Sequence, residues 1–73
     1  MNEKLVFEVT VWVRYHRSKV EDIQDACYIY NLIAEDDYEA RAMAISKVKA
    51  KYLAEDFIKV IYCETRMLAQ LDN

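Results

Sequence analysis

The sequence predicts an α+β fold in which two strands, one helix and a third strand follow one another (ββαβ). Three segments are rich in β-branched and aromatic residues with strand-like character, whereas one Ala-rich segment repeats its apolar residues every four positions. The chain of 73 residues is the size of one domain, and we expect residues 1–73 to fold together. It contains no glycine and no proline, which excludes glycine-rich phosphate-binding loops.

The first strand is predicted over residues 5–16, where the side chains alternate in character. Trp12 falls on the more polar side, and the polar residues 17–25 that follow are predicted to form a loop. A period of two over this length is typical of a strand with one buried face. The buried face would carry Leu5, Phe7, Val9, Val11, Val13 and Tyr15.

The second strand is predicted over residues 26–34 and is apolar on both faces. Tyr28 and Tyr30 lie on one face, and Cys27 lies on the other. The pattern leaves open which of these faces points outward. Cys27 and Cys63 both stand in apolar runs, where a cysteine behaves as a small hydrophobic residue, so we expect buried, reduced thiols.

The helix is predicted to begin at residue 37 and to continue to about residue 55. Asp36 is a typical N-cap residue, and Glu39 three positions later completes an acidic capping box. Two overlapping apolar stripes leave the rotation of the helix on the sheet open. The first stripe consists of Ala40, Ala44, Val48 and Tyr52, and the second of Tyr38, Ala42, Ile45 and Leu53.

The third strand is predicted over residues 57–67, and the tail after it is expected to fray or to form a short turn. Strict alternation puts Val60 and Tyr62 on one face, and Phe57 and Lys59 on the other. The long first strand fits the centre of the sheet, antiparallel to both neighbours, which gives the strand order 2-1-3. One helix then packs on one face of a three-stranded sheet.

The sheet face without the helix is predicted to bind a partner, because it would expose more apolar surface than soluble monomers usually do. We expect a homodimer, with another protein as a further partner, in preference to a cover formed by residues 17–25 or by the tail. Edge pairing is a second route to assembly, since the outer strands lack proline and carry few charges. Aromatic residues and arginine are enriched at interface centres. The expected interface residues are Trp12, Arg14, Tyr28, Tyr30, Val60 and Tyr62.

A basic segment at the end of the first strand is the alternative binding site. Basic residues beside Trp12 and Tyr15 suit single-stranded nucleic acid. Acidic residues at positions 21, 22 and 25 and a net charge of −3 weaken this alternative, because nucleic-acid affinity depends on neutralising phosphates. The residues that would contact nucleic acid are Arg14, His16, Arg17 and Lys19.

No motif in the sequence indicates catalysis or metal binding. His16 is the only histidine, and no spacing pairs it with a nucleophile and an orienting acid. One histidine and two distant cysteines do not form a recognisable set of metal ligands. The acidic residues 35–39 are explained by helix capping. We therefore expect a protein that is not an enzyme, with no catalytic residues, no metal and no cofactor.

Residues 30–48 resemble a pattern of small ββαβ proteins from phages and mobile elements. The segment is YNLIAEDDYEARAMAISKV, in which a strand ends in Ala, an acidic cap follows, and Ala recurs along the helix. Proteins of this kind include phage inhibitors of host defence such as anti-CRISPR proteins. The resemblance implies a compact, often dimeric, non-enzymatic protein that inhibits or regulates a host protein by binding it.

The expected location is the cytoplasm, or the host cytoplasm for a phage-encoded protein. The first residues lead directly into a strand pattern and do not have the apolar stretch of a signal peptide. No apolar run approaches the roughly 18 residues that a membrane helix needs.

Overall fold

A computed structural model describes residues 4–17 and 22–71 of the chain. Strand β1 spans Lys4–His16, β2 spans Ile23–Ala34, helix α1 spans Asp37–Lys49, and β3 spans Phe57–Leu71. The three strands form one antiparallel sheet in the order β2-β1-β3, and the helix lies on one face of it. The predicted α+β fold, its element order and its strand order are therefore confirmed.

The core lies between the helix and the odd-numbered side chains of β1. Alternation predicts this face of β1, and the side chains of Val9, Val11 and Val13 are fully buried there. Burial of these branched residues removes apolar surface from water, which is the main favourable contribution to folding. The other buried core residues are Phe7, Leu32, Ala34, Ala40, Ala44 and Val48.

The helix begins with the expected capping box. The Asp36 carboxylate accepts a hydrogen bond from the backbone N–H of Glu39 at 2.7 Å, and the Glu39 carboxylate accepts one from the backbone N–H of Glu35 at 3.1 Å. The stripe of Ala40, Ala44 and Val48 faces the sheet and is buried. Small residues on this stripe allow the helix backbone to approach the sheet closely, and they fix the rotation that the sequence left open.

The helix ends at Lys49, about one and a half turns before its predicted end. Bonds between residues three apart replace the helical pattern, with the Lys51 N–H donating to Val48 and the Tyr52 N–H donating to Lys49. The chain turns toward the sheet there because the Tyr52 ring packs on Tyr15, with ring centroids 4.9 Å apart.

Strand β2 begins three residues earlier than the sequence predicted, at Ile23. Its polar first residues bond across the strand pair: Tyr15 donates to the Gln24 side chain at 3.1 Å, and Arg14 binds Asp25. The prediction of a strand depended on apolar residues, and here polar contacts to β1 hold the start of the strand instead. Strand β3 likewise continues to Leu71, through most of the predicted tail.

Three register shifts interrupt the pairing of β3 with β1. Each leaves one large apolar residue of β3 without a direct partner, namely Ile58, Ile61 and Leu68. A bulge reverses which face the following residues occupy. Val60 therefore lies opposite Val13 on the helix side, and its predicted position on the other face is wrong.

The molecule is elongated, with extents of 49 × 17 × 13 Å. A helix of 13 residues is about 20 Å long and covers less than half of that length. Met67 and Gln70, on the helix side at the end of β3, are exposed as a result.

Candidate protein-binding surface

The sheet face opposite the helix, which we call the open face, has no cover in the described part of the chain. It is built from the even-numbered residues of β1 and the odd-numbered residues of β2, because side chains alternate along each strand. Trp12 stands at its middle, directly between Cys27 on β2 and Tyr62 on β3.

Large apolar side chains on the open face are strongly exposed. Trp12 is 40% exposed and Tyr62 is 52% exposed, although both belong to residue types that gain most from burial. Three isoleucines of β2 are exposed by more than half, namely Ile23 at 58%, Ile29 at 62% and Ile33 at 54%. Clusters of this kind mark interaction sites on soluble proteins.

Paired charges separate these apolar residues. The Arg14 guanidinium donates two hydrogen bonds to the Asp25 carboxylate, at 2.9 and 3.2 Å, and the hydrogen bond from Arg14 lowers the pKa of Asp25. Arg66 donates to Glu8 at 3.1 Å across β1 and β3. The open face therefore combines apolar side chains with two ion pairs and with Lys59 beside Arg14, a mixture of apolar and polar groups that is typical of interfaces.

The Tyr62 hydroxyl also has a partner on this face. It donates a hydrogen bond to the Glu64 carboxylate at 2.7 Å, and this bond raises the pKa of Tyr62. The ring of Tyr62 stays exposed, so the open face carries an apolar ring whose hydroxyl already has a hydrogen-bond partner.

Three of the six residues expected at the interface lie elsewhere. Tyr28, Tyr30 and Val60 pack against the core on the helix side, whereas Trp12, Arg14 and Tyr62 lie on the open face. The sequence left the face of the tyrosines open, and the pairing of Tyr28 with Val11 decides it. The isoleucines of β2 occupy the open face in their place. The two-sided apolar pattern of the strand was the signal that could have identified them.

Tyr28, one of the displaced tyrosines, belongs to an aromatic cluster beyond the end of the helix. The rings of Tyr28 and Tyr52 meet edge to face with centroids 6.3 Å apart, and their hydroxyls share a hydrogen bond. Phe57 packs on Tyr52 at 6.0 Å between centroids. Burial and then the bond with Tyr28 raise the pKa of Tyr52 well above its ordinary value.

The two cysteines are free and lie on opposite sides of the sheet. Cys27 is exposed on the open face, so the expectation that it is buried is wrong. Cys63 lies opposite Val11 on the helix side and is half-buried, and this burial raises the pKa of its thiol. A disulfide between them would have to cross the sheet, which the geometry of the bond does not allow.

The residues of the basic segment that the structure describes do not form a single basic cluster. Arg14 is held by Asp25, His16 lies at the end of β1, and Lys19 lies outside the described residues. Arg17 lines an open cleft of about 490 Å³ beside His16 and Lys51. The other lining residues are Tyr15, Tyr52, Leu53 and Asp56.

Among residues 4–17 and 22–71, no group of three or more histidine, cysteine or acidic side chains could hold a metal ion. No helix in the same described ranges is long and apolar enough to cross a membrane. No protein-family model matches the chain, and no curated protein or solved structure matches it either.

Proposed function

We propose that the protein is a non-enzymatic binding module that acts as a homodimer and uses its open face to bind another protein. The observation that carries this proposal is the set of exposed apolar residues around Trp12, which no other part of the described chain covers. A central aromatic residue surrounded by satisfied polar groups is the usual arrangement of an energetic hot spot.

The partner surface that suits the open face is itself apolar at its centre. Four charges of the open face form the Arg14–Asp25 and Glu8–Arg66 pairs, and such charges favour orientation and rate of association more than affinity. The resemblance of residues 30–48 to phage accessory proteins extends the proposal to a host protein as the target. In that case the module inhibits or regulates the target by occlusion, as anti-CRISPR proteins do.

The experiment that tests the open face compares Trp12→Ala and Tyr62→Ala with Tyr38→Ala. Tyr38 is 81% exposed on the helix, away from the open face, and is a matched aromatic control. Proteins retained from host lysate by immobilised wild type would be identified by mass spectrometry, purified and titrated one by one. Circular dichroism of each variant verifies that the fold is intact.

We expect the affinity for a genuine partner to fall about tenfold or more with Trp12→Ala, as for a central hot-spot residue, and to stay unchanged with Tyr38→Ala. Because Trp12 is the only tryptophan, 5-fluorotryptophan incorporated there gives a single ¹⁹F signal from the protein. This signal should shift when purified partner is added. If every retained protein binds Trp12→Ala and Tyr62→Ala as tightly as wild type, the open face is not the binding surface.

A second candidate function is binding of single-stranded nucleic acid in the cleft beside Arg17. The observation in its favour is the combination of His16, Arg17 and Lys51 with two tyrosines around one cleft. Anisotropy of a labelled oligonucleotide at low salt tests it, with Arg17→Ala and Lys51→Ala against the helix variant Lys47→Ala. Binding that falls steeply with salt and is lost in the first two variants alone would support this function.

A further inference from the structure

Strand β2 presents a regular, unprotected edge. It pairs with β1 over its whole length without a register shift, whereas β3 is interrupted three times. Bulges make a strand edge a poor template for further pairing, and so do proline and charge. The only charged residue of β2 is Asp25, which Arg14 already holds. In the described part of the chain, nothing pairs with the outer edge of β2.

One hydrogen bond at the start of the β1–β2 ladder shows which residues of β2 bond to β1 and which direct their backbone groups to the outer edge. The Arg17 N–H donates to the Asp22 carbonyl at 3.0 Å. Bonded and non-bonded pairs alternate in an antiparallel ladder, so the even-numbered residues of β2 bond to β1. The bond from the His16 N–H to the Asp56 carbonyl, at 2.7 Å, agrees, because even-numbered residues of β1 then bond to β3. The odd-numbered residues 23–33 therefore direct their N–H and C=O groups outward.

We infer that β2 pairs antiparallel with β2 of a second copy, about a two-fold axis that passes at Tyr28. In this register the residues whose backbone N–H and C=O groups point outward are paired apolar with apolar and polar with polar. Ile23 lies opposite Ile33, Asp25 opposite Asn31, and Cys27 opposite Ile29, and each pair can exchange two backbone hydrogen bonds.

The neighbouring registers are less favourable. Moving the axis by one residue, to Ile29, puts Asp25 opposite Ile33 and Cys27 opposite Asn31. Moving it to Cys27 puts Asp25 opposite Ile29 and Ile23 opposite Asn31. Either change places polar groups against isoleucine and loses the Ile23–Ile33 and Cys27–Ile29 pairs, and apolar cross-strand pairs of this kind stabilise sheets. The self-complementary register at Tyr28 is the reason for choosing a second copy as the occupant of this edge.

This pairing joins two three-stranded sheets into one sheet and brings the two open faces side by side. The axis is perpendicular to the sheet, so both helices lie on the same side. The two Cys27–Ile29 pairs then form an apolar patch between the two copies of Trp12, and Asp25–Asn31 pairs separate this patch from the Ile23–Ile33 pairs at either end. The β2 pairing gives the homodimer of the proposed function. It rests on that function only in assigning the binding of another protein to the joined open faces.

The first test is disulfide trapping. In a Cys63→Ser background, Ile29→Cys places a thiol opposite Cys27 of the second copy, at a Cα separation of about 5.5 Å that suits a disulfide. Ile33→Cys is the matched control, because position 33 lies opposite Ile23. We expect mild oxidation to give a covalent dimer with Ile29→Cys and little with Ile33→Cys. Adding Cys27→Ser to Ile29→Cys should abolish the product.

The second test is mass in solution by light scattering. We expect wild type to have twice the chain mass of 8.7 kDa and Ile29→Pro to be a folded monomer, because proline removes an outward N–H without breaking a bond to β1. Gln70→Pro removes an outward N–H from the edge of β3 and should leave the dimer intact.

Three results would overturn the inference. They are a monomeric wild type at all concentrations, equal trapping by Ile29→Cys and Ile33→Cys, and a dimer that dissociates with Trp12→Ala while Ile29→Pro keeps it. The last result would place the open face at the self-interface. Failure of the partner titrations with an intact β2 dimer would instead reject the binding role of the open face alone.

Discussion

At the scale of single residues, the hydroxyl of Tyr30 is the clearest unfavourable feature. It is buried and has no hydrogen-bond partner in the described part of the chain. A buried polar group without a partner costs about 1–3 kcal/mol. The ring of Tyr30 packs against the core and offsets this cost.

We expect Tyr30→Phe to raise the free energy of unfolding by about 1 kcal/mol, because it removes the unpaired hydroxyl and keeps the ring. Tyr28→Phe is the matched comparison. It removes a hydroxyl that bonds to Tyr52 and should lower the free energy of unfolding by about the same amount. Urea unfolding of the three proteins measures both changes. A loss of stability in Tyr30→Phe would mean that its hydroxyl has a partner.

The raised pKa of Tyr52 gives stability a dependence on alkaline pH. The folded protein holds this proton more tightly than the unfolded chain, whose tyrosines titrate near pH 10. The contribution is therefore complete below about pH 10 and is lost as pH rises toward the folded-state pKa. We expect the urea midpoint to fall as pH rises above about 10, and to fall less in Tyr52→Phe. Equal slopes in both proteins would contradict this assignment.

Single residues also show where alternation along a strand stops being informative. The face of Val60 could not be predicted because the bulge at Ile61 has no glycine or other local marker. The exposure of Cys27 could not be predicted either, since it depends on which side of β2 the helix covers. In contrast, the faces of β1 were predictable because only one of them is uniformly apolar.

At the scale of elements, the helix is positioned by small residues rather than by large ones. Ala40 and Ala44 are fully buried, so no space remains between the helix and the sheet at these positions. The cap at Asp36 was predictable because capping is local. The early end of the helix was not, because it is caused by packing of Tyr52 on a distant strand.

We expect Ala44→Leu to destabilise the protein by about 1–3 kcal/mol, because it forces extra volume into a packed contact. Ala42→Leu is the matched control, since Ala42 is exposed on the same helix. It should change the free energy of unfolding by less than about 0.5 kcal/mol. Thermal or urea unfolding distinguishes them, and equal effects would mean that the buried stripe of the helix is a different one.

At the scale of the whole molecule, nine hydrophobic residues form the described core, whereas twelve large ones are exposed. Small domains bury a low fraction of their surface and often gain stability from association. The strand order and the single helix were predictable from the sequence. The features behind the proposed edge pairing were not, because the bulges of β3 and the direction of the β2 backbone hydrogen bonds have no marker in the sequence.

We expect the thermal midpoint of wild type to rise with protein concentration, because a dimer that forms only from folded chains stabilises them by mass action. The midpoint of Ile29→Pro should not depend on concentration. Calorimetry over a hundredfold range of concentration measures this. A constant midpoint for wild type would show that association makes no contribution to folding.

The three bulges of β3 have a consequence for how far such an assembly can grow. A sheet with two regular edges can add copies without end, which leads to fibres. In the proposed dimer the single regular edge would be occupied, and both outer edges of the joined sheet would be the irregular β3 strands. Growth would then stop at two copies, and a chain rich in exposed isoleucine would keep a finite size.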